Sequence, residues 1–345
     1  MFQLLNTTKM KFSLRPAACL CVLGFFMASC NDLFHDDLAD CPQGVYVKFY
    51  SKNICAEDSS YLGDVDRLHL FAFDDNGVLA GQTMLKKPQL TKDYEYLMPL
   101  KSGKYEFMAW VNLDDNFELQ EGKPGLTTKK DIFLSLKKKA PMLLRSLDGQ
   151  KIWQGGSGRN FVELPEVSEV GSFYNHAAVN LLEKTSRINI TIELDESILK
   201  SKARKAEPKD FGIEIKSNRY AADYAGNADL KKEHYQYPAQ IRYTEKSAFA
   251  TFTLKDFQTD HEGIITLKNL KTGDVMWNGS LYGSILQEAV KKAAESGEHF
   301  NFNCQNDFQV KFKIRDKCAN CYDYVCWAIF VEDWQVHSYS LELGD

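Results

Sequence analysis

The feature that most constrains the fold of this chain is an alternation of apolar and other residues with a period of two. Val45, Val47 and Phe49 follow it, and it returns at residues 188–194 and 308–314. Because successive side chains of a strand point to opposite faces, these segments predict strands with one buried face. The 22 Phe and 16 Tyr agree with this, since aromatic side chains pack well on a pleated surface. The fold is therefore predicted to be mostly β.

The alternating segments predict two tandem β-sandwich domains. Residues 66–73 form a strand that runs into Asn76-Gly77, a pair that supplies the positive φ angles of a tight hairpin turn. A new strand pattern begins near Leu181. The predicted boundaries are 41–180 for an N-terminal β-sandwich domain and 181–345 for a C-terminal one.

Short helical insertions interrupt this β pattern. Residues 127–147 combine mixed helical spacing with many lysines, which predicts a polar helical stretch with a solvated face. Ser284 and Gln287 form a capping box before a second, amphipathic helix that Gly297 ends. Residues 155–158, Gly-Gly-Ser-Gly, are predicted to be a loop. They lack the context of a phosphate-binding loop.

The N-terminus predicts a signal peptide over residues 1–29, with translation starting at Met1 or at Met10. Three basic residues precede an apolar run at 17–27 that is too short to span a bilayer comfortably. The run ends in Met27-Ala28-Ser29-Cys30, which resembles the lipobox of bacterial lipoproteins. The alternative is an ordinary cleavage site with an incidental cysteine.

On the lipobox interpretation, Cys30 carries a diacylglycerol and a fatty acyl group such as palmitate. Each buried methylene contributes about 0.8 kcal/mol, so several acyl chains hold a protein in a membrane without a transmembrane helix. Residues 30–40 are acidic and poor in core residues, which predicts a tether between lipid and fold. The formal net charge of −5 gives no basic surface for nucleic acid.

The cysteines leave several interpretations open. Cys19 and Cys21 fall in the leader, and six candidate disulfide cysteines remain in the mature chain: Cys41, Cys55, Cys304, Cys318, Cys321 and Cys326. An exported protein favours disulfides. Cys41 and Cys55 bracket the first strand and could pair. The four later cysteines are predicted to form structural disulfides, with a zinc site or free thiols as the alternatives. Six cysteines allow fifteen pairings.

Catalytic and metal motifs are missing from the sequence. There is no H-E-x-x-H, no G-x-S-x-G, and Asp74-Asp75-Asn76 lacks the ligand spacing of a calcium loop. We predict no catalytic site, no metal site and no enzyme, although a hydrolase assembled by folding stays an alternative. A surface glycan-binding lipoprotein of a polysaccharide-uptake system is the second functional alternative. Its candidate stacking platforms are Trp110, Trp153, Trp277, Trp327 and Trp334.

Taken together, these segments resemble the fimbrillin-A-associated anchor family, lipoprotein base subunits of fimbriae. The matching segments, in order, are Cys30, residues 40–45, the hairpin at 71–77, residues 100–113 and the segment around Trp334. The resemblance covers nearly the whole mature chain.

What the resemblance implies is two transthyretin-like domains and a lipid-anchored, surface-exposed position at the outer membrane, at the base of a fimbria. The family role implied is attachment of fimbrillin-type shaft subunits and an end to shaft growth. Subunits in this family join when a strand of one completes an open sheet of another. An unpaired sheet edge presents N–H and C=O groups ready for such a strand.

Overall fold

The structure is a computed structural model that describes residues 43–120, 122–158, 160–166, 172–200, 206–223, 233–255, 263–297, 304–317 and 323–339. The signal peptide, the lipobox with Cys30, the tether, Cys41, Cys318 and Cys321 lie outside the described residues. Within them, no helix is long and apolar enough to cross a membrane.

Strands dominate the described chain. The strands up to residue 183 are β1 (Gly44–Tyr50), β2 (Gly63–Asp64), β3 (Arg67–Asp74), β4 (Leu79–Lys86), β5 (Gln89–Leu90), β6 (Glu95–Pro99), β7 (Gly103–Val111), β8 (Phe117–Leu119), β9 (Phe133–Leu136), β10 (Lys138–Ala140), β11 (Leu143–Leu144), β12 (Trp153–Gly156), β13 (Val162–Leu164) and β14 (Tyr174–Glu183). The later strands are β15 (Thr185–Leu194), β16 (Phe211–Ser217), β17 (Ala221–Asp223), β18 (Tyr235–Tyr237), β19 (Ala239–Tyr243), β20 (Ser247–Lys255), β21 (Gly263–Asn269), β22 (Val275–Ser280), β23 (Asp307–Asp316), β24 (Tyr324–Val331) and β25 (Trp334–Ser338). The mostly β prediction is confirmed.

Helices are short and few in the part of the chain that the structure describes. They are α1 (Glu196–Leu199), α2 (Gln287–Glu295), two 3-10 helices (Lys129–Asp131 and Pro208–Asp210) and a π-helix (Leu281–Leu286) that leads into α2.

The first eight-stranded sheet, here called the N-terminal sheet, has the order β4-β3-β7-β12-β14-β1-β6, with β13 paired to β7. Val45, Val47 and Phe49 of β1 are buried, as their alternation predicted. The sheet curls until its two ends meet: the Tyr96 hydroxyl lies 3.5 Å from the Thr83 hydroxyl. A separate apolar core is therefore enclosed by one sheet.

Two six-stranded sheets form the C-terminal sandwich. One has the order β10-β11-β18-β16-β21-β22 and the other β19-β20-β15-β23-β24-β25. Apolar side chains of both sheets belong to one contiguous core, which also takes in Phe71 and Trp110 from the outer face of the N-terminal sheet. The sandwich and the N-terminal sheet therefore share buried surface.

A nearly continuous extended path joins the two parts, since only Lys184 separates β14 from β15. β14 pairs in parallel with β1, and β15 pairs in parallel with β23. Val179 and Leu181 are buried at odd positions of β14, whereas Ile188 and Ile190 are buried at even positions of β15. A shift of one residue exchanges the two faces of a strand, so the path changes its buried face at Lys184.

The predicted hairpin at Gly77 is confirmed between β3 and β4. Gly77 has a φ of 75°. The Asp74 carboxylate accepts hydrogen bonds from the backbone N–H groups of Asn76 at 3.0 Å and Val78 at 2.8 Å. The aspartate therefore shapes the turn.

The predicted helical stretch at 127–147 is wrong, because three strands, β9, β10 and β11, lie in it. Leu134 and Leu136 of β9 are buried on one face, and β9 pairs with both β8 and β17. Burial with period two outweighed the helical propensity of the lysines. The segment also departs from the predicted division at residue 181, since β9 and β11 pair with strands from the C-terminal half.

Two smaller predictions also need correction. Ser284 does not begin the helix: Ser280 accepts a hydrogen bond from the Gly283 N–H and the π-helix starts one turn earlier. Gly297, with a φ of 81°, follows the helix as predicted. Gly155 and Gly156 are not loop residues but part of β12, which lies between β7 and β14.

Gly155 allows a close approach that gives a test of this topology. A Cβ atom at Gly155 would lie 1.7 Å from the Asn180 carbonyl oxygen. We expect Gly155→Ala to lower the free energy of unfolding by about 2–3 kcal/mol, the upper part of the range for overpacking. Gly156→Ala is the matched control, since its nearest atom would lie at 3.2 Å. Equal urea midpoints for the two variants would contradict the position of β12.

Candidate functional site

The chemically distinctive region of the structure is the junction around Lys184. A disulfide joins Cys55, in the loop after β1, to Cys304, just before β23, with 5.7 Å between their Cα atoms. The two cysteines are 249 residues apart in sequence. The disulfide therefore connects the N-terminal sheet to the C-terminal sandwich.

Arg187 forms ion pairs with Asp307 and Glu183 across the same junction, and we call this set of ion pairs the brace. The Arg187 guanidinium donates to both carboxylate oxygens of Asp307 at 2.5 and 2.7 Å, and to Glu183 at 2.7 Å. The Arg187 and Glu183 side chains are only 11% and 13% exposed. Because a bidentate pair fixes direction as well as distance, Arg187 locks the end of β14 to the start of β23.

The charges at this brace shift each other's protonation. The hydrogen bonds from Arg187 lower the pKa of Asp307, against a smaller opposing effect of burial. Hydrogen bonds from Asp307 and Glu183 raise the pKa of Arg187 in turn. Both groups therefore stay charged near neutral pH. No local sequence pattern indicates this brace, because Arg187 and Asp307 are 120 residues apart.

The disulfide changes the interpretation of the cysteines. Cys55 pairs with Cys304, not with Cys41, because folding brings the loop after β1 beside the start of β23. A zinc site on four cysteines including Cys304 does not agree with this pairing. Among the described residues, no cluster of three or more His, Cys, Asp or Glu is placed to hold a metal ion.

Cys326, counted among the candidate disulfide cysteines, is a free and buried thiol in the structure. Burial raises its pKa to about 12, against a smaller lowering by the hydrogen bond to the Ala328 carbonyl. A neutral buried thiol is a poor nucleophile. Cys326 therefore acts as a core residue of β24.

The tryptophans do not form the exposed platform expected of a glycan-binding protein. Trp110 is fully buried, and Trp153, Trp277, Trp327 and Trp334 are half-buried. The Trp277 ring packs at 59° to that of His337, with 4.6 Å between centroids. No observation on these rings favours the glycan alternative.

A cleft of 540 Å³ opens beside β12 on the N-terminal sheet, lined by Glu106, Ser157 and Lys184 among others. Its polar groups already serve the fold. Glu106 is ion-paired with Lys129, and the Ser157 hydroxyl accepts a hydrogen bond from the Phe107 N–H at 2.9 Å.

The unpaired backbone N–H and C=O groups of the outermost strands could bind a further strand. The outer strands of the C-terminal sandwich are β10, β22, β19 and β25. Helix α2 packs against β25, and β10 carries Lys138 and Lys139, a charge pattern that discourages edge pairing. Residues 240–243 of β19 are exposed, and Ile241 and Tyr243 are each 50% exposed. Strand β19 is therefore an exposed edge to which a further strand could pair.

Known proteins resemble this chain in both sequence and fold. A family model described as "Fimbrillin-A associated anchor proteins Mfa1 and Mfa2" matches residues 38–340. This chain belongs to that family. It is 31% identical over 321 residues to the minor fimbrium anchoring subunit Mfa2 of Porphyromonas gingivalis, covering 92% of each chain.

The solved structure of the Porphyromonas gingivalis fimbrial anchor protein Mfa2 has a TM-score of 0.73 and 30% identity, over 87% of this chain and all of the other. A candidate adhesin of Bacteroides thetaiotaomicron shares the fold at 17% identity, with a TM-score of 0.65 over 88% of this chain and all of the other. The predicted anchor-family membership is confirmed. The family is one of fimbrial structural subunits, not of enzymes.

The brace at the junction of this anchor-family chain generates a pH-dependent prediction. A carboxyl group whose pKa is lower in the folded than in the unfolded protein stabilises the fold at pH values above its unfolded pKa, which is about 3.9 for Asp. That stability is lost as the pH falls through the folded pKa. We expect Asp307→Asn to lower the free energy of unfolding by about 1 kcal/mol at pH 7, discounted for the exposure of Asp307. The difference should disappear in acid.

Urea unfolding of both proteins from pH 7 down to pH 3 measures this effect. Asp115→Asn is the matched control, because Asp115 pairs with Arg67 at 3.2 Å on the surface with its side chain 89% exposed. We expect less than about 0.5 kcal/mol from the control. A deficit of Asp307→Asn that stays constant with pH would contradict the role of the ion pair.

Proposed function

We propose that this protein is a lipid-anchored fimbrial anchor subunit that holds a shaft of fimbrillin-type subunits to the outer membrane and ends its growth. The observation that carries the proposal is the family match over residues 38–340, together with 92% coverage of an anchoring subunit. A relative matched over 92% of its length corresponds to this chain across nearly its whole architecture, not in one module alone.

Attachment to the membrane is assigned to Cys30. The lipobox at 27–30 precedes the acidic segment, and the fold begins with β1 at Gly44. Acyl chains on Cys30 would place the N-terminal sheet nearest the membrane, because β1 is the strand that follows the tether. Two or more acyl chains give stable attachment.

Attachment of the shaft is assigned to strand addition at β19. A strand that pairs with an open edge gains a ladder of backbone hydrogen bonds, while pockets for alternate side chains give specificity. Ile241 and Tyr243 project from one face of β19, where a partner's apolar residues could pack beside them. A subunit fixed to lipid at its N-terminus would end the shaft at that point.

The lipid assignment is tested by Cys30→Ala, with Cys21→Ala in the leader as the matched control. We expect Cys30→Ala to move the protein from the outer-membrane fraction to the medium, together with its fimbriae, because the acyl chains are its only assigned hold. The measurement is fractionation followed by affinity purification and mass spectrometry of co-purifying subunits. Recovery of a membrane-bound protein without fimbrial subunits, or with a glycan transporter, would contradict the proposal.

The shaft assignment is tested by a lysine on the edge strand. Natural edge strands use lysine to prevent pairing, so Ile241→Lys should reduce co-purification of shaft subunits by at least about tenfold, a loss of about 1.4 kcal/mol in affinity. Ile264→Lys is the matched control, since Ile264 is also partly exposed, at 39%, but lies on β21, an interior strand of its sheet. Equal co-purification from both variants would remove β19 as the docking edge.

A further inference from the structure

The Cys55–Cys304 disulfide closes a covalent loop of unusual size. It joins residues 249 positions apart, and the enclosed segment 56–303 contains every strand from β2 to β22. Only β1 precedes the loop, and only β23, β24 and β25 follow it among the described strands.

On the anchor role proposed above, we propose that this disulfide transmits mechanical tension from the N-terminal tether to strand β23, and we call it the staple. It takes residues 56–303 out of the covalent path between the lipid-attached N-terminus and strand β23. Tension on the tether would then pass through β1 to Cys55, across the disulfide to Cys304, and directly into β23.

Both cysteines are carried by segments fixed at the junction. The Lys52 N–H donates to the Asn180 side-chain oxygen at 2.9 Å, and the Asn180 amide donates back to the Lys52 carbonyl at 2.9 Å. The loop bearing Cys55 is thereby held to β14. On the other side of Lys184, the Arg187 N–H donates to the Asn306 carbonyl at 2.6 Å. The disulfide therefore spans the change from β14 to β15.

The strand that receives the load is well placed to spread it. β23 is a central strand of its sheet, paired with β15 on one side and with β24 on the other. β19, the proposed docking edge, belongs to the same sheet. Load from a docked shaft would cross the β19, β20, β15 and β23 ladders and leave through the staple, without pulling the N-terminal sheet apart.

Force spectroscopy on the isolated mature chain, held at residue 31 and at the C-terminus, tests the staple without any partner. In the oxidised protein, the extension released on complete unfolding should be about 850 Å shorter than in the reduced protein, from 249 residues at about 3.4 Å each. Cys55 is exposed, so mild reductant on the folded protein gives the comparison even where Cys55→Ser/Cys304→Ser does not fold.

Ile54→Ser, which changes the 75%-exposed neighbour of Cys55, is the matched control and should keep the short extension. An oxidised extension equal to the reduced one would overturn the staple, whatever the function of the protein.

The transmission of tension through the staple is tested on cells under flow. We expect cells with Cys55→Ser/Cys304→Ser to keep their fimbriae at rest and to lose them under shear at which cells with Ile54→Ser retain them. Equal retention by both variants would overturn this mechanical role. A Cys30→Ala variant run in parallel separates the two proposals: if it keeps its fimbriae at rest, the lipid anchor fails, while the extension measurement still decides the staple.

Discussion

The structure depends on the extended path from Tyr174 to Leu194, which is interrupted only at Lys184. Each half of the path is a long strand with a parallel partner, β1 in one case and β23 in the other. Because the buried face changes at Lys184, the same stretch of backbone serves two cores. The N-terminal sheet and the C-terminal sandwich are therefore placed relative to each other by a strand, not by a loose linker.

The other features of the junction follow from this path. Once β14 and β15 are fixed, β1 ends opposite Asn180 and β23 starts opposite Arg187, on either side of Lys184. That brings Cys55 beside Cys304 and Asp307 beside Arg187. Sequence separation is large for both pairs, 249 and 120 residues, so no local sequence pattern indicates either contact.

Much of the fold could be predicted from local patterns. Strands at 45–49, 188–194 and 308–314 show strict alternation, and Asn76-Gly77 is a strong local signal of a hairpin turn. The stretch at 127–147 could not be read in this way, because its strands are short and its burial comes from β17 and β18, far away in sequence. Lysines with good helical propensity misled the local interpretation.

The candidate site was less predictable than the fold. The proposed lipidation site, Cys30, could be predicted because a signal peptidase would recognise a local motif. The partner of Cys55 was not, since six cysteines give fifteen pairings and only the fold chooses among them. The open edge at β19 was equally hidden: Ile241 and Tyr243 look like any strand residues until the order of the sheet shows that nothing pairs beyond them among the described strands.

An anchor of the proposed kind would need covalent and hydrogen-bonded continuity from lipid to shaft. In the described residues, the Cys55–Cys304 disulfide and the Arg187 ion pairs cross the junction, and the sheet that holds β23 ends at the open edge of β19. The free thiol of Cys326 is buried in the core, and Glu106 and Ser157 in the cleft beside β12 are held by Lys129 and by the Phe107 N–H.

The most direct test of this account is the position of the protein on an intact fimbria. Immunogold electron microscopy of cells that carry an epitope tag after residue 345 would locate it. We expect gold at the membrane end of the fimbriae and none along the shafts. Label distributed along the shafts, or on membrane that bears no fimbriae, would contradict it.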